Sequence, residues 1–275
     1  MGKNIIVTAG PTNERIDAVM QITNMSTGSL GAHVAEKLLA DPGVDRVFYI
    51  SPKLAYKPTH IENPERLTCI EVKSTQDLMN TLGVLLRDPG THIDAVVHSA
   101  AVGDYTGRYA ARAEDIANEI TRAVTQKTSN SEHGTYSFEN IRDIVLNVLT
   151  HPTCLQDSRT KISSYEPNLM VMLDLTPKVI GTIKKASPTT MLIGFKLLEN
   201  VSNNELFRVA DKLRQTNAAD YIIANDLARI RGNKHWGMVI GANGLVTECQ
   251  SKPEIADVIY NLIFDRPVEY RHYSE

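Results

Sequence analysis

Cysteine is scarce here: Cys69, Cys154 and Cys249 are the whole complement of 275 residues, widely spaced and without a C-x-x-C pair. That spacing excludes a disulfide framework and a cysteine-based zinc site, and it suits a reducing compartment. An excess of one charge is also missing. The formal net charge of −3 gives no electrostatic reason to expect nucleic acid as a partner. No apolar run approaches the roughly 18 residues a membrane span needs, so no membrane association is expected. The N-terminus enters an apolar run without a charged n-region, which predicts no signal peptide and a cytoplasmic protein. Several catalytic signatures are absent too. No Gly-Lys-Ser/Thr follows a glycine loop, no G-x-G-x-x-G follows a strand, and neither a G-x-S-x-G elbow nor an H-E-x-x-H pair occurs. A Walker loop, a dinucleotide fingerprint, a hydrolase triad and a protein-held transition metal therefore have no support.

What is present is an alternation of β-rich and helical segments. With 42% hydrophobic and 22% charged residues, the chain has ample material for a core. Strands are predicted over residues 5–8, 46–51, 67–72, 95–100, 169–175, 190–195 and 221–224. Two more, 236–240 and 245–249, flank an Asn-Gly hairpin turn. Helices are predicted over 30–39, after the N-cap Ser74, and over 112–125, 138–149, 203–215 and 251–264. A further helix is expected to be capped by Thr176 with Pro177 in its first position. Residues 127–134 read as a polar loop, 150–164 as a flap or hairpin, and 266–275 as a frayed tail. The fold class this predicts is α/β: a doubly wound, Rossmann-like, mostly parallel sheet. It predicts one domain over residues 1–275 with an inserted flap or dimerisation segment at about 106–165.

In such a sheet, ligands sit outside the carboxyl ends of the strands. The first strand leads there into a long loop of small and hydroxylated residues: Gly10, Thr12, Asn24, Ser26, Thr27 and Gly28. That loop feeds a helix N-terminus, where free N–H groups and the helix dipole favour an anion. Other strands end near Ser99-Ala100-Ala101 with Asp104, near Phe195-Lys196, and at Asn225-Asp226. Taken singly, Asp and Asn at such points are more often turn formers than ligands. Their shared edge is what makes them candidates. His98, inside an apolar strand, reads as a hydrogen-bonded core histidine. Lys161 lies in a polar stretch and is either solvated or able to reach phosphate charge.

Taken together, the ordered motifs resemble phosphopantothenate–cysteine ligase of coenzyme A biosynthesis. They are Val7-Thr8-Ala9-Gly10-Pro11-Thr12 with Ile16-Asp17, Ile22-Thr23-Asn24-Met25-Ser26-Thr27-Gly28, and Ser99-Ala100-Ala101-Val102-Gly103-Asp104-Tyr105. Lys161-Ile162-Ser163-Ser164, Gly194-Phe195-Lys196 and Ile223-Ala224-Asn225-Asp226 complete the series. Residues 108–157 resemble the family weakly. Bifunctional members read K-I-K-K and G-F-A-x-E-T where this chain has K-I-S-S and G-F-K-L-L, so the likeness is to the monofunctional bacterial type, and no flavin is implied.

The resemblance implies a nucleotide-dependent condensation of 4′-phosphopantothenate with L-cysteine through an acyl-nucleotide, with Mg2+ and CTP (or ATP) and a homodimer. It implies that Asn24 orients the acyl phosphate and that Lys161 reaches the triphosphate. Gly10, Thr12, Ser26, Thr27 and Gly28 would hold the substrate. Ser99, Ala100, Ala101, Asp104, Phe195, Lys196, Lys212, Asn225 and Asp226 would contact the nucleotide. Two other readings stay open: an NAD(P)-dependent short-chain reductase-like enzyme, and a non-catalytic nucleotide-binding regulator.

Overall fold

The computed structural model describes residues 2–129, 137–231 and 234–273. In chain order the first elements are β1 (Lys3–Thr8), β2 (Asn13–Arg15), β3 (Gln21–Thr23), α1 (Ser29–Leu39) and β4 (Val44–Ser51). Next come β5 (Leu67–Glu71), α2 (Thr75–Arg87), β6 (Ala95–His98), β7 (Tyr105–Arg112), α3 (Ala113–Ser129) and α4 (Phe138–Thr150). They are followed by β8 (Leu169–Leu175), α5 (Ile180–Ala186), β9 (Met191–Leu198), α6 (Asn203–Thr216) and β10 (Tyr221–Asp226). The chain closes with β11 (Ile230–Arg231), β12 (Lys234–His235), β13 (Gly237–Gly241), β14 (Gly244–Cys249) and α7 (Lys252–Ile263).

The described residues form two compact units. The first holds residues 1–13, 23–103 and 177–275; the second holds 14–22 and 104–176. The first unit is built on an eight-stranded sheet in the order β14-β13-β10-β9-β6-β1-β4-β5. From β9 to β5 every pairing is parallel, while β13 is antiparallel to both its neighbours. Apolar side chains alternate along each strand and supply two cores. Ile5, Val7, Val97, Ile193 and Ile223 face α1 and α7. Ile6, Val96, Leu192 and Ile222 pack with residues of α2, α5 and α6. Strands buried on both faces read as continuous apolar runs, as Ala95-Val96-Val97 does.

The order of the strands positions the site. From β1 the chain moves outward through α1 to β4 and β5, then returns through α2 to β6 on the other side of β1. The crevice between the carboxyl ends of β1 and β6 is therefore a topological switch point, where doubly wound sheets bind their ligands.

The second unit holds the antiparallel ribbon of β7 and β8 with α3 and α4. Its residues 14–22 turn sharply around Asp17, whose Oδ1 accepts the amides of Val19 (2.7 Å) and Met20 (2.6 Å). Asp17 Oδ2 accepts the amide of Ile162 at 2.9 Å and so ties residues 157–162 to this turn.

Several expectations need correction. Thr176 caps no helix: α5 begins at Ile180, with Val179 at its N-cap and no side-chain cap. At Thr176 the chain still belongs to the ribbon, which its amide extends by one residue with a bond to the Asp104 carbonyl at 3.0 Å. Residues 150–164 form no hairpin. Their backbone is held by side chains instead, with Glu119 accepting the amides of Thr153 and Cys154. Lys127 belongs to α3 rather than a loop, and 130–134 of that expected loop lie outside the described residues. Within the long loop after β1, the paired strands β2 and β3 were not foreseen. The tail is not frayed over 266–273. The Glu248 amide bonds to the Arg271 carbonyl (2.9 Å), and the Tyr273 amide to Glu248 Oε2 (2.8 Å). An edge strand gains pairing this way. Residues 274–275 of the expected tail lie outside the described residues.

Candidate functional site

Past their last paired residues, β1 and β6 stay zipped together. Ser99 donates from its amide (3.1 Å) and its hydroxyl (2.6 Å) to the Thr8 carbonyl. The Ala101 amide bonds to the Gly10 carbonyl at 2.9 Å, and the Thr12 amide returns to the Ala101 carbonyl at 3.2 Å. The Thr12 hydroxyl accepts the Gly103 amide at 2.8 Å. Asn24 closes this ladder: its Nδ2 donates to the carbonyls of Ala101 (3.3 Å) and Val102 (3.1 Å). The side chain is exposed, so it is fixed in direction yet reachable from solvent.

Glycines let the start of α1 approach this edge. Gly10 and Gly28 have φ of +75° and +78°, the left-handed region that a side chain disfavours. A Cβ on Gly28 would also sit 2.9 Å from the Gly10 nitrogen. Two backbones thus meet where any larger residue would part them.

The first turn of α1 differs from four other helix starts; only the short α5 shares its lack of a side-chain cap and of a first-turn acid among the helices with a described N-cap. Ser74, Ser137, Ser202 and Ser251 each accept the amide three residues on, and each of those four helices has an acidic residue in its first turn. At α1 the N-cap is Gly28, no side chain caps it, and the first turn has no acid. The Ser29 amide reaches only the Thr27 hydroxyl, at 3.4 Å. Lys252 adds a cation, donating from Nζ to Ser29 Oγ at 2.6 Å. It occupies the first position of α7, where a cation opposes the dipole of its own helix. The two helices run parallel, joined by the Lys37–Asp257 ion pair (2.6 Å) and the Tyr260–Asp41 hydrogen bond. Hydroxyls, an ammonium and a bare helix start are the groups from which an anion cradle is built. Such a helix terminus contributes about 0.3–1 kcal/mol of charge stabilisation when exposed, and up to about 2 when partly buried.

Beneath it, the Thr8 hydroxyl accepts the Ala100 amide (3.2 Å) and meets His98 Nδ1 (2.9 Å). Burial pushes the His98 imidazole down to about 4, so it is neutral at ordinary pH. His98 is thus a hydrogen-bonded histidine of the sheet, as its strand context suggested.

The expected residues separate by place. Gly10, Thr12, Asn24, Ser26, Thr27, Gly28, Ser99, Ala100 and Ala101 all belong to the β1 and β6 ends or the loop entering α1. Phe195 and Lys196 lie inside β9, one and two residues beyond the His98–Gly194 pair; Phe195 is in the strand as expected, and the strand runs on past Lys196 to Leu198. Asn225 and Asp226 end β10 and are each 4% exposed. Asn225 donates to the Trp236 carbonyl (2.7 Å), and Asp226 accepts the amides of Asn200 and Ala228. The structure does not bring Lys212 to this edge. It is exposed nine residues into α6, roughly 14 Å along the axis from the helix start. Asp104 and Lys161 fall in the second unit. Lys161 is exposed there, and its charge adds to the three backbone amides that hold Asp17 below the usual carboxylate range. Sequence reasoning missed Lys252. Its one signal was a lysine at the first position of a Ser-capped helix.

A family model for the DNA/pantothenate metabolism flavoprotein C-terminal domain (DFP) matches residues 1–148. The crystal structure of the DNA/pantothenate metabolism flavoprotein from Streptococcus pneumoniae is 32% identical. It covers 96% of this chain and 99% of its own, with a TM-score of 0.74. Coenzyme A biosynthesis bifunctional protein CoaBC of Thermococcus kodakarensis is 27% identical over 240 residues, which is 87% of this chain and 45% of that protein. This chain spans less than half the length of the curated relatives it matches. A Cab2 mutant in complex with phosphopantothenate-cysteine aligns over 96% of this chain and 88% of its own at 14% identity. Its TM-score of 0.62 is a likeness of fold.

Proposed function

Because the chain belongs to the DNA/pantothenate metabolism flavoprotein C-terminal domain family, we propose that it is a phosphopantothenate–cysteine ligase. In the first step the carboxylate of 4′-phosphopantothenate attacks the α-phosphorus of CTP. The α–β phosphoanhydride bond breaks, pyrophosphate leaves, and an acyl-cytidylate forms. In the second step the amine of L-cysteine attacks the acyl carbon, CMP leaves with the bonding pair, and the ammonium proton is lost to give the amide. The single observation that carries this reading is the uncapped start of α1 at the β1–β6 switch point, with Asn24 anchored beside it.

In this reading the α1 cradle, with Gly10, Thr12, Ser26, Thr27, Gly28 and Lys252, takes the phosphate of phosphopantothenate. Asn24 orients the activated acyl group. It acts by positioning and polarising, because each tetrahedral oxygen needs a fixed donor as charge develops. The backbone of Ser99–Ala101 and Asp104, with Phe195, Lys196, Asn225 and Asp226, forms the nucleotide side. Lys161 neutralises triphosphate charge, reaching across a homodimer. A magnesium ion entering with the triphosphate would be held chiefly by phosphate oxygens and water. It therefore does not need a three-ligand cluster, and the described residues contain none. The ion would supply charge neutralisation on the departing pyrophosphate. No helix among the described residues is long and apolar enough to cross a membrane.

The test is pyrophosphate release with CTP, ATP, GTP or UTP, each with and without phosphopantothenate and cysteine. Release should require phosphopantothenate but not cysteine, and CTP should be the best nucleotide. No release with any nucleotide from a folded, magnesium-supplied protein refutes the ligase reading.

A further inference from the structure

The second unit contains a cavity of about 260 Å³ that the ligase reading does not use. Arg15, Arg108 and Arg159 line it together with Ser158 and Tyr109, and no carboxylate is among its lining residues. Three chain segments distant in sequence therefore each contribute an arginine to one concavity.

The backbone is arranged to bring them there. The β7–β8 register steps from Gly107↔Leu173 to Tyr109↔Met172, leaving Arg108 as the extra residue of a β-bulge. Bulges re-aim a side chain out of the regular alternation. Gly107 is required beside it, because a Cβ there would lie 2.8 Å from the Arg15 carbonyl oxygen. The segment carrying Ser158 and Arg159 is pinned to residues 14–22 by the Ala18 amide on the Thr160 carbonyl (3.4 Å) and by Asp17 on the Ile162 amide (2.9 Å).

The charges do not cancel. Arg159 is paired with Asp157 at 2.9 Å and Arg108 with Asp174 at 3.5 Å. Arg15 donates only to the carbonyl of Asp17, at 3.2 Å, and has no ion-pair partner among the described residues. One positive charge is left over, and both paired carboxylates are substantially exposed, so a multiply charged ligand can compete for the guanidinium faces. Arginine forks match tetrahedral oxyanions in geometry as well as charge. The volume falls below the ~300 Å³ at which drug-sized pockets begin, which favours a small anion over a whole nucleotide.

We infer that this cavity is a second anion site, binding a phosphoryl oxyanion of at least two charges through Arg15, Arg108 and Arg159. The ligand is either a free phosphate or pyrophosphate, or the phosphate end of an ester. Because the α1 cradle also takes phosphate in our reading, the test must resolve the site. Phenylglyoxal modification of each arginine of the full chain is followed by peptide mass mapping, with inorganic phosphate, pyrophosphate or phenyl phosphate present. At least one of these anions should slow modification of Arg15, Arg108 and Arg159 by about fivefold or more, leaving exposed Arg46 and Arg87 unchanged. The inorganic arms against the ester arm tell a free anion from an ester terminus. In the Arg108→Gln/Arg159→Gln double variant, protection of Arg15 should vanish. Protection spread evenly over all arginines, or none at the three, overturns the inference on the native chain alone. Neither result bears on pyrophosphate release.

Discussion

The starts of α1 and α6 sit on the same sheet and follow parallel strands, yet they are finished in opposite ways. Ser202 caps α6 by accepting the Glu205 amide at 3.2 Å, and Glu205 adds a negative charge to the first turn. Nothing comparable closes α1. Gly28 supplies no side chain, and the groups that gather are hydroxyls and the ammonium of Lys252. A helix start that satisfies itself contributes to stability. One left open, with a cation beside it, gives up that contribution and keeps its field for a ligand.

The largest effect is expected from closing the open start sterically. Gly28→Ala places a Cβ against the Gly10 backbone at a positive φ. It should cost roughly 2–5 kcal/mol in denaturant unfolding from strain and overpacking together, and abolish pyrophosphate release. The next tests what lies beneath. In the folded chain His98 protonates only near pH 4, against 6.5 when unconstrained. Between those values the unfolded state binds more protons. Stability is therefore full above about pH 6.5 and falls as pH drops, by about 3 kcal/mol at pH 4. His235, also pushed down to about 4 by burial and by Lys252, adds a slope of the same sign. Unfolding curves of wild type and His98→Gln across pH 4–7 should show the variant with the shallower decline.

On the closed side, Ser202→Ala should cost about 1 kcal/mol in stability and leave substrate affinity unchanged. On the open side, Lys252→Met should shift stability by less than about 0.5 kcal/mol while raising KM for phosphopantothenate roughly tenfold. If both substitutions affect stability alone, the two helix starts do not differ in purpose.

Local chemistry decided what was legible from sequence. Serine caps and apolar runs carry their signals within a few residues, so the strands of the eight-stranded sheet and most helices could be read directly, whereas β7 (Tyr105–Arg112) was not foreseen. Thr176 misled because the chain there still runs with the ribbon, its amide bonding to Asp104, a partner 72 positions away that no local pattern reports. Lys252 was missed for the same reason: Ser29, the group it reaches, is 223 positions distant. The paired β2 and β3 depend on one aspartate turning the chain, and Asp17 looks ordinary until its three amide donors are seen. The arginine cavity likewise needs three segments assembled.

The cradle at α1 is tested most directly by comparing the affinities of 4′-phosphopantothenate and pantothenate for the wild-type chain, by calorimetry at fixed salt. The two ligands differ only in the phosphate. The account predicts that pantothenate binds roughly a hundredfold more weakly, and that Lys252→Met narrows this gap. Equal affinities for the two ligands would contradict it.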